Sequence, residues 1–343
     1  MIFRQLFDET SNTFTYLLGD SASGQALLID PVQGKEARDL ELLAQLNLTL
    51  SWVLETHEHA DHITAADKLR TLSGCALATP NSGQSQGADR YLKHGETLVC
   101  GAIELEVRHT PGHTAGSASY VNHAHGMVFT GDTLLVRGCG RTDFQGGDAA
   151  ALYASVHEQL FSLPSTTRVF PGHDYKGHRE SSIAEEMAHN PRLGGGRSLE
   201  AFVEIMKGLK LSPPRLLNQA VPANRRMGAP DPFEQLRSDA VGVPQADLGW
   251  WGENKESVRL IDVRQPEEYI GPMGHLPGAE LVPLDTLIHA AETWDREQPL
   301  VIVCRSGARS NRGAIALKNM GFAQVANLAG GTAAWFSSQG ARA

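Results

Sequence analysis

Apolar residues between positions 1 and 190 fall into short runs separated by turns rich in histidine and glycine. Such runs predict strands, and two of them, 15–19 and 26–30, predict a hairpin joined by DSASGQ. Further strands are predicted at 50–54, 117–121, 127–130 and 168–170, with a second hairpin at 98–107. Leucine and alanine recur with helical spacing at 36–46, and helices are also expected at 64–72 and 198–209.

The pattern changes after residue 210, where the chain reads SPPRLLNQAVPANRRMGAPDP. This density of proline argues against regular structure and marks the approach to a domain boundary. Strands are then predicted at 258–262, 281–282 and 300–303, with helices at 308–320 and 332–338. Alternation of strands and helices is typical of an α/β domain with a parallel sheet. We therefore predict one domain over 1–230, a linker over 231–244 and a second domain over 245–343.

Composition narrows the classes of function. A chain of 343 residues suits two domains, and a net charge of −9 disfavours binding to nucleic acid or to anionic membranes. The start, MIFRQLFDETSNTF, is too polar for a secretory signal, and no apolar run approaches the ~18 residues of a membrane span. The four cysteines are far apart, which argues against a disulfide framework. We expect a cytoplasmic protein that acts on small molecules, and a homodimer is allowed.

Candidate metal ligands follow several of the predicted strands. The strand at 50–54 runs into THEHADH, and three later strand ends carry TPGHT, FTGDT and FPGHD. The candidate ligands in these four motifs are His57, His59, Asp61, His62, His113, Asp132 and His173. A glycine near the later ligands lets the backbone approach a crowded centre. Seven such residues in four motifs favour a metal site over histidines that only stabilise the fold.

Two metal centres are compatible with these residue types. A two-zinc hydrolase would generate a hydroxide and polarise a thioester carbonyl. Its ligands would be His57, His59 and His113 on one ion, Asp61, His62 and His173 on the other, and Asp132 between them. A single-iron oxygenase needs two histidines and one carboxylate on one face, with open positions for O₂ and substrate. That triad would be His57, His113 and Asp132, with the other candidates orienting the ligands.

The four motifs, in this order, resemble the metallo-β-lactamase fold in its glyoxalase II branch. The resemblance covers about residues 1–230 and implies an αββα sandwich with the metal at one edge of its two sheets. After GCGR the chain continues TDFQ, which, with LLNQAVPANRRMG, resembles the persulfide dioxygenases. Members of that family use one Fe(II) per chain to oxidise glutathione persulfide with O₂ to sulfite and glutathione. The resemblance implies that His57, His113 and Asp132 bind the iron and that His59 does not.

Several residues near these motifs are candidates for supporting the co-substrate glutathione. Arg141 and Asp143 would pair and hold the loop on the substrate side, although a surface salt bridge is the alternative. Tyr175 could donate its hydroxyl to a ligand or could simply pack. Arg225 and Arg226 could meet the glutathione carboxylates, or they could be solvated.

A second candidate site lies where the strand LVIVC ends at Cys304. The chain continues as an anion-binding loop formed by Arg305, Ser306, Gly307, Ala308 and Arg309. Backbone N–H groups and a helix N-terminus there would lower the pKa of the Cys304 thiol and bind an anionic sulfur substrate. A buried structural cysteine is the alternative.

The Cys304 loop, together with LIDVRQPEEY and GHLPGA, resembles the rhodanese sulfurtransferases over about residues 245–343. A loop of six residues from Cys304 to Arg309 resembles those that accept sulfane sulfur. The resemblance implies that Cys304 takes the outer sulfur of thiosulfate and passes it to glutathione. Asp262 and Arg264 are expected to stabilise the fold.

Fusion of the two domains favours one bifunctional enzyme of sulfur metabolism, because both halves would share glutathione persulfide as an intermediate. Two other hypotheses stay open. One is a dizinc hydrolase of glutathione thioesters with an accessory rhodanese domain. The other makes the C-terminal domain a non-catalytic module that binds sulfur or a partner.

Overall fold

Short strands in the first two thirds of the chain form two six-stranded sheets. The computed structural model describes residues 1–340 and divides the chain into a first unit, Met1–Ala229, and a second unit that begins at Pro230. The strands of the first sheet, in spatial order, are β1 (Ile2–Asp8), β2 (Thr13–Asp20), β3 (Gln25–Ile29), β4 (Thr49–Leu54), β5 (Ala76–Pro80) and β6 (Arg90–Leu92). Those of the second sheet are β7 (Thr97–Cys100), β8 (Ile103–His109), β9 (Ala118–Asn122), β10 (Met127–Gly131), β11 (Arg168–Pro171) and β12 (Ser181–Ser182).

The two sheets of the first unit share one apolar core. Strands β1, β2 and β3 pair antiparallel, whereas β3 to β6 pair parallel. Leu18 and Leu27 of the first sheet are fully buried in the same cluster as Leu105 and Phe129 of the second. Alternate residues of a strand point to opposite faces, so each sheet also presents an apolar face on its other side.

Helices cover those outer faces. On the first sheet, α1 (Glu36–Gln45) and α2 (Ala66–Ser73) bury Leu43 and Leu69. On the second sheet the covering helices are α3 (Ala149–Ala154), α4 (Ile183–His189) and α5 (Leu199–Lys207). A π-helical segment, Ser155–Leu160, continues α3. The predicted αββα sandwich is therefore confirmed.

The proline-rich segment contains a helix that the sequence did not predict. Helix α6 (Leu217–Arg225) includes Pro222 in its interior, where the missing N–H removes one helical hydrogen bond. Ala220 and Val221 are buried, and Asn224 makes hydrogen bonds to another segment of the first unit. These tertiary contacts explain why the expectation of irregular structure was wrong here.

The second unit is built on one parallel sheet. Its strands, in spatial order, are β13 (Gln245–Ala246), β17 (Val325–Leu328), β16 (Leu300–Val303), β14 (Arg259–Asp262) and β15 (Glu280–Leu281). Its helices are α7 (Leu248–Asn254), α8 (Pro266–Tyr269), α9 (Leu287–Ala291), α10 (Ala308–Asn319) and α11 (Gly331–Gly340). Neighbouring residues of β14, Leu260 and Ile261, are buried in different clusters, so both faces of the sheet are covered. The predicted α/β domain with a parallel sheet is confirmed.

The segment 231–244, which the sequence predicted as a linker, lies within the second unit. It carries a 3₁₀ helix, Pro232–Gln235, and an isolated bridge between Ser238 and Pro244. Phe233 is buried in the same cluster as Trp251. An apolar side chain that packs in a core anchors the backbone around it, so this segment is an ordered edge of the second unit.

None of the helices within residues 1–340 has the length and apolar character needed to cross a bilayer.

Candidate functional site

The candidate metal ligands gather at one edge of the first unit, where strands of both sheets end. His57 follows β4, Asp132 follows β10 and His173 follows β11. Glycines permit this crowding at two points. Gly131 has φ of +48°, and a Cβ there would lie 2.5 Å from Thr56 Oγ1. A Cβ on Gly172 would lie 2.8 Å from Asp132 Oδ1.

Three side chains form a compact candidate metal site. One ligand atom from each of His57, His113 and Asp132 lies within 4.8 Å of the others. His113 Nε2 is 3.7 Å from Asp132 Oδ2. Two imidazole nitrogens and one carboxylate oxygen in this arrangement can bind a divalent metal on one face and leave its opposite positions open.

Hydrogen bonds around His57 fix which ring nitrogen can bind a metal. Thr56 Oγ1 donates to Asp30 Oδ2 at 2.7 Å, so its single proton is committed. His57 Nδ1 lies 2.9 Å from the same Thr56 Oγ1 and must therefore be the donor in that pair. The proton on Nδ1 leaves the lone pair of His57 Nε2 free for a metal.

His113 is oriented in the same way by a backbone group. Its Nδ1 lies 2.7 Å from the carbonyl oxygen of Arg141, which can only accept. Nδ1 therefore carries the proton, and Nε2 of His113 faces Asp132 with its lone pair free. Both histidines of the triad thus present the same nitrogen to the site.

His173 lies between two carboxylates. Its Nδ1 is 2.6 Å from Asp132 Oδ1, and its Nε2 is 2.9 Å from Asp61 Oδ2. Burial opposes the charged form, but these two carboxylates raise the pKa of His173 well above its ordinary value. The charged ring donates to both, so it holds Asp132 by Oδ1 and leaves Oδ2 for a metal.

Asp61 completes a hydrogen-bonded group beside the triad. Its Oδ2 also lies 3.0 Å from His62 Nδ1 and accepts from Thr13 Oγ1 at 3.2 Å. Three donors on one oxygen leave little capacity on that atom for a metal. A ligand atom from each of His59, Asp61 and His62 nevertheless lies within 4.8 Å of the others.

His59 faces a separate pair of acids. Its Nε2 is 3.3 Å from Asp30 Oδ1 and 3.5 Å from Glu55 Oε2. Burial favours the neutral ring, but these carboxylates raise the pKa of His59 to about 10. The two carboxylates lie on the Nε2 side of the ring, and Nδ1 of His59 has no hydrogen-bond partner among the described residues.

A residue far along the chain clamps the backbone of this loop. Asn224 Nδ2 donates to the carbonyl oxygens of His59 and His62, both at 2.8 Å. Its Oδ1 accepts from the backbone N–H of Thr64, also at 2.8 Å. All three contacts are buried in part or in full, so one side chain of α6 fixes the path of residues 59–64.

A cavity of about 560 Å³ opens beside the triad and reaches His113 and Asp132. A volume of this size suits a small-molecule substrate. Five basic side chains line it, which are Arg137, Arg141, Lys176, Arg192 and Arg215. Although the protein has a net negative charge, positive charge is concentrated next to its candidate metal site.

Two of these basic residues are available to a ligand. Lys176 and Arg215 are exposed and form no ion pair within residues 1–340. Arg137 is paired with Glu186, whereas Arg141 is paired with Asp143. An anionic substrate would therefore meet Lys176 and Arg215 with the least competition from protein carboxylates.

The other predicted supporting residues have varied positions. Arg141 bonds both oxygens of Asp143 at 2.6 Å and donates to Ser212 O at 2.7 Å, which ties its loop to the next segment. Tyr175 is 65% exposed, and its ring stacks on His173 in the cavity wall. Arg226 does not line the cavity, because α6 is turned toward the 59–64 loop. The cavity geometry therefore gives no support to a glutathione contact by Arg226.

The second candidate site surrounds Cys304 at the end of β16. Gly307, with φ of +101°, closes the loop before α10, and its N–H donates to Cys304 Sγ at 3.2 Å. The hydroxyl of Ser310 lies 3.3 Å from the same sulfur. Burial opposes ionisation, but the bonds from Ser310 and from backbone N–H groups of the loop lower the pKa of Cys304. This is the environment expected of a nucleophilic thiolate.

Some residues of this loop are exposed, whereas one is paired with an acidic side chain. Arg305 and Ser306 are exposed, as is Ala308. Arg309 instead donates to both oxygens of Glu268 at 2.6 Å, so its charge is already balanced. Backbone N–H groups and Arg305 are therefore the part of the predicted anion loop that is open to a ligand.

Sequence reasoning missed several residues that position these sites. Asp30 and Thr56 orient His57, and Asn224 holds its loop. Thr56 and Asn224 stand inside the motifs THEHADH and LLNQAVPANRRMG, which was the available signal. Lys176 lies three residues after His173, but nothing in the neighbouring sequence indicated that its side chain would line the cavity.

Known proteins match both units. Residues 9–173 match the metallo-beta-lactamase superfamily, and residues 250–338 match the rhodanese-like domain. A solved metallo-beta-lactamase of Staphylococcus aureus is 21% identical, with a TM-score of 0.61, and covers 95% of this chain and 98% of its own. That likeness concerns the fold. Fold and sites together define a metallo-β-lactamase-fold protein joined to a rhodanese-like domain.

Two relatives narrow this class. The mitochondrial persulfide dioxygenase ETHE1 of Homo sapiens is 47% identical over 233 residues, which are 68% of this chain and 91% of that protein. The crystal structure of ETHE1 from Myxococcus xanthus is 51% identical, with a TM-score of 0.65, and covers 67% of this chain and all of its own. The chain belongs to the persulfide dioxygenase family. This membership confirms the resemblance drawn from the sequence motifs and places the protein in sulfur metabolism.

Proposed function

We propose that the first unit is a single-iron persulfide dioxygenase that oxidises glutathione persulfide with O₂ to sulfite and glutathione. The observation that carries this proposal is the triad of His57, His113 and Asp132, with one free donor atom on each. Two imidazoles and one carboxylate on one face are the donor set of non-heme Fe(II) oxygenases. An Fe(II) ion held there would supply the activation of O₂ next to the persulfide sulfur.

The residues beside the triad support one metal rather than two. Asp61 and His173 are bonded to each other, and His173 also holds Asp132. His59 is turned toward Asp30 and Glu55. A second ion at Asp61, His62 and His173 would have to replace the hydrogen bond between Asp61 and His173, whereas a single ion at the triad uses only atoms that are free. This is the argument for Fe(II) over the dizinc alternative.

The cavity supports glutathione persulfide as the substrate. Glutathione carries two carboxylates, and Lys176 and Arg215 are exposed basic residues of the cavity wall without an ion pair in the described chain. Arg192, which also has no ion pair there, is half-buried and donates to the carbonyl oxygen of Cys139 at 2.9 Å. Arg141 holds the adjacent loop, and its carbonyl orients His113. These residues would bind the tail and direct the persulfide toward the triad.

The second unit acts, in this proposal, as a thiosulfate:glutathione sulfurtransferase. Cys304 Sγ forms a bond to the outer sulfur of thiosulfate, and the S–S bond to sulfite breaks with its electron pair on sulfite. Glutathione thiolate then takes the outer sulfur, and the electron pair of the broken bond returns to Cys304. The product is glutathione persulfide, which is the substrate of the first unit.

The dioxygenase is tested by metal analysis of anaerobically purified protein, followed by O₂ uptake with glutathione persulfide. We expect one iron per chain and O₂ consumption with release of sulfite. His113→Ala should lose the bound iron and the O₂ consumption. His178 is an exposed histidine outside the cavity, so His178→Ala should keep the iron and the O₂ consumption. Two zinc ions per chain with hydrolysis of glutathione thioesters and no O₂ uptake would refute the proposal.

The sulfurtransferase is tested with Cys304→Ser. This variant should transfer no sulfur from thiosulfate to glutathione, yet should still consume O₂ with added glutathione persulfide. Undiminished transfer would show instead that the second unit is a non-catalytic module.

The compartment and the assembly are also proposals. Cys75, Cys100, Cys139 and Cys304 are free and buried, which suits a reducing cytoplasm. Fractionation of cells and light scattering of the purified chain would test the cytoplasmic placement and the homodimer.

A further inference from the structure

A hydrogen-bonded network of polar side chains begins at the sulfur of Cys304. Ser310 Oγ lies 3.3 Å from Cys304 Sγ and 2.6 Å from Asn327 Oδ1. Cys304, Ser310 and Asn327 are only 1%, 0% and 4% exposed. Asn327 sits on β17, the strand next to β16, and is an unusual polar residue in the interior of a parallel sheet.

The hydrogen-bonded network continues outward to the carboxylate of Asp239. Asn327 Nδ2 donates to Gln245 Oε1 at 2.7 Å, and Gln245 Nε2 donates to Val243 O at 3.0 Å and to Asp239 Oδ2 at 3.3 Å. A backbone carbonyl and a carboxylate can only accept. Gln245 must therefore point its NH₂ outward and its oxygen toward Asn327.

The orientation of the Gln245 amide fixes the donor and the acceptor of every other hydrogen bond in the network. Asn327 must present its NH₂ to Gln245, so its Oδ1 faces Ser310. Ser310 carries a single hydroxyl proton and has two acceptors within reach, which are Asn327 Oδ1 and Cys304 Sγ. The proton can serve only one of them at a time.

We propose that Ser310 is a positioning residue for sulfur transfer, and that Asn327 sets its effect by competing with Cys304 for the hydroxyl proton. This proposal deepens the sulfurtransferase function and rests on it. When Cys304 is a thiolate, the Ser310 hydroxyl donates to Sγ. When Cys304 carries the persulfide, Sγ is a neutral, weak acceptor and the proton returns to Asn327.

The hydroxyl therefore acts in both half-reactions. It stabilises the thiolate that attacks the outer sulfur of thiosulfate, and it stabilises the same thiolate as it leaves when glutathione takes that sulfur. Hydrogen bonds to charged groups are about twice as strong as neutral ones, so the proton follows the charge on Sγ. Asn327 keeps the hydroxyl satisfied in the intermediate, when Sγ needs no donor.

The other charged groups near Cys304 are the same in wild type and in variants of Ser310 and Asn327. Arg309 is held by Glu268, and Asp262 and Arg264 form a buried ion pair. Arg305 is exposed at the loop. None of the five bonds to Ser310, and β17 itself carries no titratable residue between positions 325 and 328. Substitutions at Ser310 and Asn327 therefore report on the hydroxyl proton.

The experiment measures the rate of alkylation of Cys304 by iodoacetamide against pH in the full chain. Ser310→Ala removes the donor and should raise the apparent pKa of the thiol by about one unit. Asn327→Leu removes the competing acceptor and should lower that pKa by about half a unit. Ser337→Ala, an exposed serine on α11, is the control and should change nothing.

Shifts in opposite directions support the proposal, because a general loosening of the site would move both variants the same way. Ser310→Thr keeps a hydroxyl and should restore the wild-type pKa. If Asn327→Leu does not fold, Asn327→Asp keeps the shape but adds a charge and a stronger acceptor, and it should raise the pKa. An unchanged pKa in Ser310→Ala overturns the proposal.

Sulfur transfer is measured in parallel. The reaction of Ser310→Ala with thiosulfate should be about tenfold slower than that of wild type below the pKa of its thiol and should approach the wild-type rate at high pH. Transfer from its persulfide to glutathione should stay slower at every pH, because the leaving thiolate lacks its donor. Alkylation needs neither thiosulfate nor glutathione. Wild-type protein that alkylates normally but transfers no sulfur would refute the sulfurtransferase, whereas transfer without opposite pKa shifts would refute only the role of Ser310 and Asn327.

Discussion

Substitution of Asn224 by alanine should uncouple the loop that carries several candidate metal ligands from helix α6. The side chain of Asn224 makes three hydrogen bonds to the backbone of residues 59–64. Alanine would leave the N–H of Thr64 and the carbonyls of His59 and His62 without these partners. The loop should then lose order, and the metal should bind more weakly.

The magnitude follows from the three groups left without a partner. A buried polar group that loses its partner costs about 1–3 kcal/mol, and water entering the vacated space recovers part of that cost. We expect the free energy of unfolding of the first unit to fall by about 3–5 kcal/mol. For a unit of this size each kcal/mol lowers Tm by about 2–4 °C, which gives a decrease of roughly 6–20 °C.

Calorimetry of the full chain and hydrogen exchange of peptides over 59–64 would measure both effects. Asn218→Ala is the matched control, because Asn218 is exposed on the same helix. Its first unit should melt at the wild-type temperature. Asn224 does not clamp the loop if Asn224→Ala melts within ~2 °C of wild type and its Thr64 amide stays protected from exchange.

Three further predictions concern other parts of the two sites. Thr56→Val frees Nδ1 of His57 from its partner and should weaken iron binding about 10–100-fold, measured by metal competition. Lys176→Ala removes a cation from the cavity and should raise KM for glutathione persulfide severalfold with little change in kcat, measured by O₂ uptake. Arg309 lowers the pKa of Glu268 to about 2. A lowered carboxyl pKa stabilises the fold above about 4.5, and this stabilisation is lost as pH falls toward 2. Glu268→Gln should therefore flatten the decline in Tm of the second unit across that window.

The first two predictions have a control variant, and all three have an outcome that would contradict them. Thr56→Ser keeps the hydroxyl and should bind iron as wild type does, so equal weakening in both variants would contradict the tautomer argument. Lys68→Ala, on the exposed side of α2, should leave KM unchanged. A change in kcat alone for Lys176→Ala would place that residue in the chemistry rather than in binding. Parallel pH curves for wild type and Glu268→Gln would show that the Arg309 pair has no influence on stability.

The strands that lead into the candidate metal ligands were predictable because each ends in a motif with its own chemistry. THEHADH, FTGDT and FPGHD all follow apolar runs, and the structure brings them to one edge. The loop at Cys304 was predictable for the same reason. Strand β1 was missed because Arg4 and Gln5 interrupt its apolar residues, and only pairing with β2 makes it a strand.

Contacts between distant residues could not be predicted from local patterns. Nothing in the spacing of residues near Asn224 indicates that its amide will meet the backbone of His59 and His62. The same holds for Arg309, which looked free to bind an anion until Glu268, 41 positions earlier, was found against it. Periodicity reports which face of an element is buried, whereas these pairs depend on the tertiary arrangement.

The Asn224 clamp also sets an order of events during synthesis of the chain. A ribosome makes His57, His113 and Asp132 first, but the loop around His57 is not held until Asn224 has emerged. About eighty residues then separate Asn224 from Cys304. At 5–20 residues per second, their synthesis takes roughly 4–16 s. A newly made first unit can therefore fold around its candidate metal ligands before Cys304 of the second unit exists. If the proposed functions hold, the enzyme that consumes persulfide is completed before the one that produces it.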